Sequence, residues 1–105
     1  MRMVRPYYAD YIKHCMKYFS KTFTPGAGTP AFKTEVDRRN WFSCYSIYSR
    51  CTAEEKKILL SVYGADDTLA DNIYTTARDM GINQDKIWNL VGDFERKVAK
   101  RRGLL

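Results

Sequence analysis

The sequence predicts an all-α fold of about five helices, with residues 1–105 forming a single domain. Apolar residues recur at spacings of three and four along nearly the whole chain, which is typical of amphipathic helices. No stretch shows the period-two alternation that is typical of strands. The chain has 105 residues, of which 45% are hydrophobic. That length suits one core and leaves no room for a second domain of ordinary size.

An amphipathic helix is predicted within residues 1–23, running from about Tyr7 to Phe23. Its apolar side consists of Tyr8, Tyr11, Ile12, Cys15, Phe19 and Phe23. Its basic side consists of Lys13, Lys17 and Lys21. Interleaved aromatic and basic side chains can stack on and neutralise single-stranded nucleic acid. The same rings can instead be core or dimer contacts. The helix can dock on its own domain or exchange with a second copy.

A Gly/Pro linker is predicted at residues 24–33. The run from Thr24 to Pro30 contains two prolines and two glycines, which break helices and favour a loop or hinge. It is not a phosphate-binding loop, because it lacks both the Lys-Ser/Thr ending and a preceding strand.

Residues 34–105 are predicted to form the main helical domain. Its first helix should run from about Glu35 to Arg50, with Thr34 as N-cap. We expect a buried stripe of Trp41, Tyr45 and Tyr48, with Cys44 alongside. The polar side consists of Asp37, Arg38, Arg39, Ser46 and Arg50.

Three further helices follow from capping signals. Thr52 and Glu55 form a capping box before the apolar residues Ile58, Leu59, Val62 and Tyr63, and Gly64 ends this helix. The run Asp66-Asp67-Thr68 offers the next N-cap, and the inner face that follows is Leu69, Ile73, Ala77 and Met80, with Gly81 as a left-handed stop. Asn83 caps the last helix, which carries Ile87, Leu90, Val91, Phe94 and Val98 and ends near Gly103.

Residues 68–100 have the spacing of a helix-turn-helix. Ala77 is followed four residues later by Gly81, then by Ile82, the cap Asn83, and Ile87 six residues after the glycine. The small residue lets the helices cross closely, the glycine permits the turn, and the isoleucines fill the corner. With the flanking helices, the stretch from Thr52 to Arg102 resembles region 4 of sigma-70-type factors and related phage and mobile-element regulators.

The resemblance implies a support helix at residues 53–63, a first motif helix at 68–80 and a recognition helix from 83 to about 100, which enters the major groove. The residues that it implies for DNA binding are Gln84, Lys86, Trp88, Asn89, Arg96, Lys97, Lys100, Arg101 and Arg102. Gln and Asn can pair with adenine, Lys with guanine or phosphate, and the later basic residues lie close to the backbone. The sequence departs from the family pattern at Thr75-Thr76-Ala77, at Trp88 and at Asp85.

The charge distribution also favours a polyanionic partner. The formal net charge is +6, and residues 1–52 carry nine basic and three acidic side chains, whereas residues 53–105 carry nine of each. The last basic cluster, from Arg96 to Arg102, contains no acidic residue. Such a block seeks phosphates. It can equally be a solvated helix end that faces the negative pole of the helix dipole.

The sequence gives little support for a catalytic site or a metal site. The three cysteines match no CxxC spacing, and a Cys3His zinc site of Cys15, Cys44, Cys51 and His14 is only sterically conceivable. His14 and Cys15 are neighbours on a predicted helix, so their side chains point about 100° apart and do not form a nucleophile pair. No apolar run is long enough for a membrane span or a signal peptide. We therefore expect a cytoplasmic protein with no enzymatic activity, cofactor or metal.

Two functions follow from these observations. The first is a small DNA-binding transcriptional regulator that binds double-stranded DNA, where a homodimer would read two half-sites. The second is a phage or mobile-element interaction module that binds a host protein such as RNA polymerase or a nucleic-acid-handling enzyme. A third interpretation is that the lysine side of the first helix, at Lys13 and Lys17, is the principal surface that binds an anionic ligand.

Overall fold

A computed structural model describes residues 5–105, and all regular structure in that range is helical. The bounds of the five helices are α1 Ala9–Thr22, α2 Glu35–Tyr48, α3 Ala53–Gly64, α4 Leu69–Met80 and α5 Gln84–Arg102. The prediction of an all-α fold with five helices is confirmed. Residues 1–4, which belong to the predicted first segment, lie outside the described residues.

Side-chain caps begin four of the helices, as their sequences predict. Thr34, Thr52 and Thr68 each accept the backbone N–H three residues later, and Glu55 returns a bond to the Thr52 N–H to complete the capping box. Asn83 caps α5 by accepting the N–H of Asp85 at 2.7 Å. These caps satisfy amides that a helix start leaves without partners, so the start positions follow directly from the sequence.

The inner faces of the five described helices pack together in one hydrophobic core. Its most deeply buried side chains include Ile12, Met16, Phe19, Trp41, Leu59, Tyr63, Ile73, Ile87 and Phe94. Because Ile12, Met16 and Phe19 are completely buried, α1 docks on its own chain and its apolar face is part of this core. The Phe19 ring is therefore unavailable for stacking on bases, whereas Tyr11 of α1 remains at the surface.

The buried stripe of α2 differs from the predicted one. Trp41, Cys44 and Tyr48 are buried as expected, but Tyr45 is 39% exposed and Ile47 is buried instead. The Tyr45 ring lies on the outer side of Trp41, stacked at 5.4 Å between centroids. Tyr11 of α1 is also at the surface, where its hydroxyl accepts a hydrogen bond from Asn40 Nδ2. Aromatic residues with a polar tip can serve at the edge of a core, and periodicity alone does not distinguish edge from centre.

The connection between α3 and α4 is fixed by a buried asparagine. The Asn72 side-chain amide donates to the carbonyls of Val62, Ala65 and Asp67 at 2.9 to 3.2 Å. These bonds hold the first turn of α4 against the end of α3, and α4 in turn positions the start of α5.

Candidate nucleic-acid interface

The corner between α4 and α5 is built from the residues that suggested a helix-turn-helix. Gly81 has φ +65°, the left-handed conformation that glycine adopts without strain. The Ile82 N–H donates to the Ala77 carbonyl at 2.9 Å, which closes the end of α4. Ala77 and Ile87 are buried at this crossing, and Ile82 is half-buried. The corner therefore sets the direction in which α5 leaves α4.

One side of α5 is exposed along nearly its whole length. We call this side the α5 outer face and define it by Asp85, Lys86, Asn89, Gly92, Asp93, Arg96, Lys97 and Lys100, all of which are exposed. At 1.5 Å per residue the face is roughly 22 Å long. It presents an amide, four cations and two carboxylates, with a glycine near its middle.

Ion pairs partly neutralise the outer face. Asp93 lies 2.7 Å from the Arg96 guanidinium and 3.0 Å from the Lys97 ammonium, and hydrogen bonds from Lys97 and Arg96 lower the pKa of this carboxyl. Lys86 lies 3.8 Å from Glu54 of α3. Lys100 has no carboxylate partner within residues 5–105. Such exposed pairs each contribute about 0–1 kcal/mol, so a phosphate can displace the carboxylate at small cost.

Gly92 has no role in packing that explains its presence. It is exposed in the interior of α5, and a Cβ built on it would meet nothing within 4 Å. A glycine in a helix interior costs about 1 kcal/mol relative to alanine. Between Asn89 and Arg96 it leaves a shallow spot where another molecule can approach the helix backbone closely.

The nine residues that the sequence suggested for DNA binding fall into three places. Five of them, Lys86, Asn89, Arg96, Lys97 and Lys100, share the outer face. Gln84 and Trp88 are half-buried, and Trp88 packs against the core with the Arg5 guanidinium 6.0 Å from its ring centroid. Arg101 and Arg102 lie on another side of α5, toward α2, where they line a pocket with Arg38 and Arg39. The structure therefore does not bring all nine to one surface.

Glu95 is an important residue that pattern reasoning missed. It is 1% exposed on the inner side of α5, where the Tyr63 hydroxyl donates to its carboxylate and the Arg5 guanidinium lies 2.9 Å away. Burial raises the pKa of Glu95, and burial also raises the pKa of Tyr63 well above its ordinary value. The sequence does contain a signal for its burial. Glu95 lies within the apolar stripe of α5, four residues after Val91 and one after Phe94.

The other candidate sites have a different geometry. Cys15 and Cys44 are buried, and burial raises the pKa of Cys15 to about 11. His14 is exposed, whereas its neighbour Cys15 faces the core. Within residues 5–105, no group of three or more His, Cys, Asp or Glu side chains is arranged to hold a metal ion.

The lysine side of α1 lies beside the α3–α4 connection. Lys13 and Lys17 are half-buried there and line a small cleft that also contains Asp67. A carboxylate in this cleft makes it less favourable for an anion than a purely cationic surface.

None of the helices described between residues 5 and 105 combines the length and apolar character needed to cross a membrane. Comparison of the chain with protein-family models, curated proteins and solved structures finds no significant match.

Proposed function

We propose that this protein is a small DNA-binding transcriptional regulator in which α4, residues 81–83 and α5 act as a helix-turn-helix. The α5 outer face then lies in the major groove of double-stranded DNA. The observation that carries the proposal is the outer face itself, a polar and basic helix side about 22 Å long that no described element covers.

The chemistry of the outer face suits a base-reading helix. The major groove is about 12 Å wide and admits an α-helix. Asn89 can pair with adenine, and Lys86, one turn earlier, can reach guanine or a phosphate. Lys100, Arg96 and Lys97 are placed further along, where they can neutralise phosphates and supply affinity that does not depend on sequence.

Gly92 supports the same assignment. Because no contact among residues 5–105 requires a glycine at position 92, the stability that it costs the helix is understandable if a bound molecule occupies the space. Asp85 and Asp93 oppose DNA, since both bring negative charge to the face. Asp85 is at the helix start, where the dipole favours an acid, and Asp93 is already held by two cations.

The second candidate, a module that binds a host protein such as a polymerase component, is favoured by a different surface. Tyr74 on α4 is 54% exposed and lines an open groove of about 620 Å³ beside Ile82 and the start of α5. Exposed tyrosine is common at protein interfaces. In that case the α4–α5 corner would contact a protein.

Selection from a random duplex library over a salt series tests the proposal. We expect an enriched motif that persists near physiological salt, and two symmetric half-sites would show that the protein acts as a homodimer. Asn89→Ala should lose preference at one position, and Lys100→Ala should weaken binding to all duplexes and lower the salt slope by about 1.

The matched control is Lys21→Ala, which removes one exposed charge from the lysine side of α1. An equal loss of duplex affinity in this variant would indicate that the anion-binding site is on α1. Binding without a motif that disappears at modest salt would contradict DNA recognition and favour a protein partner.

A further inference from the structure

The first half of α2 and the C-terminal end of α5 enclose a strongly cationic pocket. We call it the arginine pocket. It measures about 220 Å³ and is lined by Arg38, Arg39, Phe42, Ser43, Arg101 and Arg102. Four guanidinium groups line it and no carboxylate does. Since arginine cannot be deprotonated in proteins, this positive charge is permanent.

A hydrogen bond network holds the two sides of the pocket together. Arg102 Nε donates to Asn40 Oδ1 at 2.6 Å, and Asn40 Nδ2 donates to the Tyr11 hydroxyl at 2.9 Å. The last turn of α5 is thereby fixed on α2, beside Arg39. The pocket is formed by packed helices, so its shape does not depend on ordering a loop around a ligand.

Most of the positive charge in the pocket is not neutralised by an ion pair with a carboxylate of the described residues. Glu35 forms a two-point ion pair with Arg38, with N···O distances of 3.0 and 2.6 Å, and the hydrogen bond from Arg38 lowers the pKa of Glu35. Arg39 and Arg101 are exposed and form no ion pair in the described part of the chain, although the charge of Arg39 adds to the effect of Arg38 in lowering the pKa of Glu35. Cations held together without counter-charges repel each other, and an anion relieves that repulsion.

We propose that the arginine pocket binds a phosphate group. The planar fork of a guanidinium matches phosphate oxygens in pairs, which makes arginine well suited to this ligand. At about 220 Å³ the pocket is smaller than the roughly 300–1,000 Å³ of sites that enclose a whole drug-sized ligand. A phosphate with an adjoining sugar fits this size, and the exposed Phe42 ring at the edge offers an apolar face to that neighbour.

The arginine pocket borders the C-terminal end of the α5 outer face, because Arg101 follows Lys97 by one helical turn, but it does not depend on the function proposed above. Arg101 follows Asn89 by 12 residues, which is about 18 Å along the helix and about 120° around it. Arg102 is rotated about 140° to the other side and bonds α2. A phosphate in the pocket therefore lies far from Asn89 and from the base-reading part of the outer face.

Calorimetric titration of the full chain with pyrophosphate, at low salt, tests the proposal. The pocket variant is Arg39→Gln with Arg101→Gln. The control is Arg50→Gln with Lys57→Gln, which removes the same charge from exposed positions elsewhere. We expect one pyrophosphate per chain, at least tenfold weaker binding in the pocket variant, and less than a twofold change in the control. Arg102 is left in place because its bond to Asn40 holds α5.

A second titration, with a labelled random-sequence duplex, identifies the source of the phosphate. If only pyrophosphate binding depends on the pocket, the ligand is a free phosphate compound. If the pocket variant instead lowers the salt slope of duplex binding by about 2 relative to the control, the phosphate belongs to a nucleic-acid backbone. If the pocket and control variants behave alike toward both probes, the proposal is wrong.

Discussion

Replacement of Arg5 by alanine is expected to destabilise the protein at pH 7 and to have a smaller effect near pH 4.5. Arg5 supplies the cation beside the buried carboxylate of Glu95, the Tyr63 hydroxyl donates to the same carboxylate, and Lys13 acts on it from a greater distance. Without Arg5 the carboxylate must stay ionised in an apolar environment or take up a proton. Removing one partner of a buried pair costs about 3–5 kcal/mol if the remaining charge persists.

Protonation sets an upper limit on this cost. A glutamic acid of ordinary pKa, about 4.5, requires about 3 kcal/mol to be protonated at pH 7, from 1.36 kcal/mol per pH unit. The Arg5→Ala variant should therefore lose at most about 3 kcal/mol through Glu95 at pH 7. Loss of the contact between Arg5 and the Trp88 ring adds about 0.5–1 kcal/mol that does not depend on pH.

The sign of the pH dependence follows from the raised pKa of Glu95. Between the ordinary pKa and the raised one, the folded protein keeps the proton and the unfolded chain has released it. Stability therefore falls as pH rises through this range. Removing Arg5 raises the folded pKa further, so the range widens and the variant approaches the parent protein only as the pH falls toward about 4.5.

Urea unfolding followed by circular dichroism, at several pH values upward from about 4.5, the ordinary pKa of a glutamic acid, to about neutral pH, measures the effect. The double variant Arg5→Ala with Glu95→Gln is the control, because a neutral glutamine can still accept from Tyr63 but does not titrate. Its difference from the Glu95→Gln single variant, which also lacks the titrating group, should change much less with pH than the difference between Arg5→Ala and the parent. An Arg5→Ala loss that is the same at pH 5 and pH 7 would refute this account of the buried cluster.

Three further predictions concern single positions. Gly92→Ala should stabilise the fold by about 1 kcal/mol, raising Tm by about 4 °C in thermal unfolding, and should weaken duplex binding, because the added methyl occupies the shallow spot on the outer face. Asp93→Asn should strengthen duplex binding and steepen the salt slope by about 1, since Arg96 and Lys97 lose their carboxylate partner. Thr52→Ala should cost about 1 kcal/mol in urea unfolding, because the capping box at the start of α3 is lost.

Each of these has a result that contradicts it. Unchanged duplex affinity in a stabilised Gly92→Ala protein would mean that no ligand approaches that part of α5. Weaker duplex binding by Asp93→Asn would show that this carboxylate helps to position its cations. A Thr52→Ser variant should retain the stability of the parent, since serine caps equally well, and an equal loss in Thr52→Ser and Thr52→Ala would contradict the capping explanation.

The helices were predictable because their ends depend on local chemistry. Thr34, Thr52, Thr68 and Asn83 act within three residues of themselves, and the left-handed Gly81 needs only its own backbone. The error at Tyr45 has a different origin. Whether an aromatic residue on a helix is central or at the edge depends on where the neighbouring helices end, and the sequence of α2 does not contain that information.

The candidate sites were only partly predictable for the same reason. Lys86, Asn89 and Lys100 share a face because helical periodicity places them there. Arg39 and Arg101 are 62 residues apart in the sequence and meet through the packing of α2 on α5. The ion pair of Arg5 with Glu95 likewise joins residues that no local pattern relates.

The docking of α1 has a consequence for the order of events during synthesis. Arg5 and Glu95 are separated by 90 residues, so a ribosome that adds about 5–20 residues per second needs several seconds to supply the partner of the first. Throughout that interval Ile12, Met16 and Phe19 have no α5 to cover them, although they are the most deeply buried residues of α1 in the finished fold. Of the five described helices, α1 is synthesised first and is thus exposed to chaperones and to other nascent chains for the longest time.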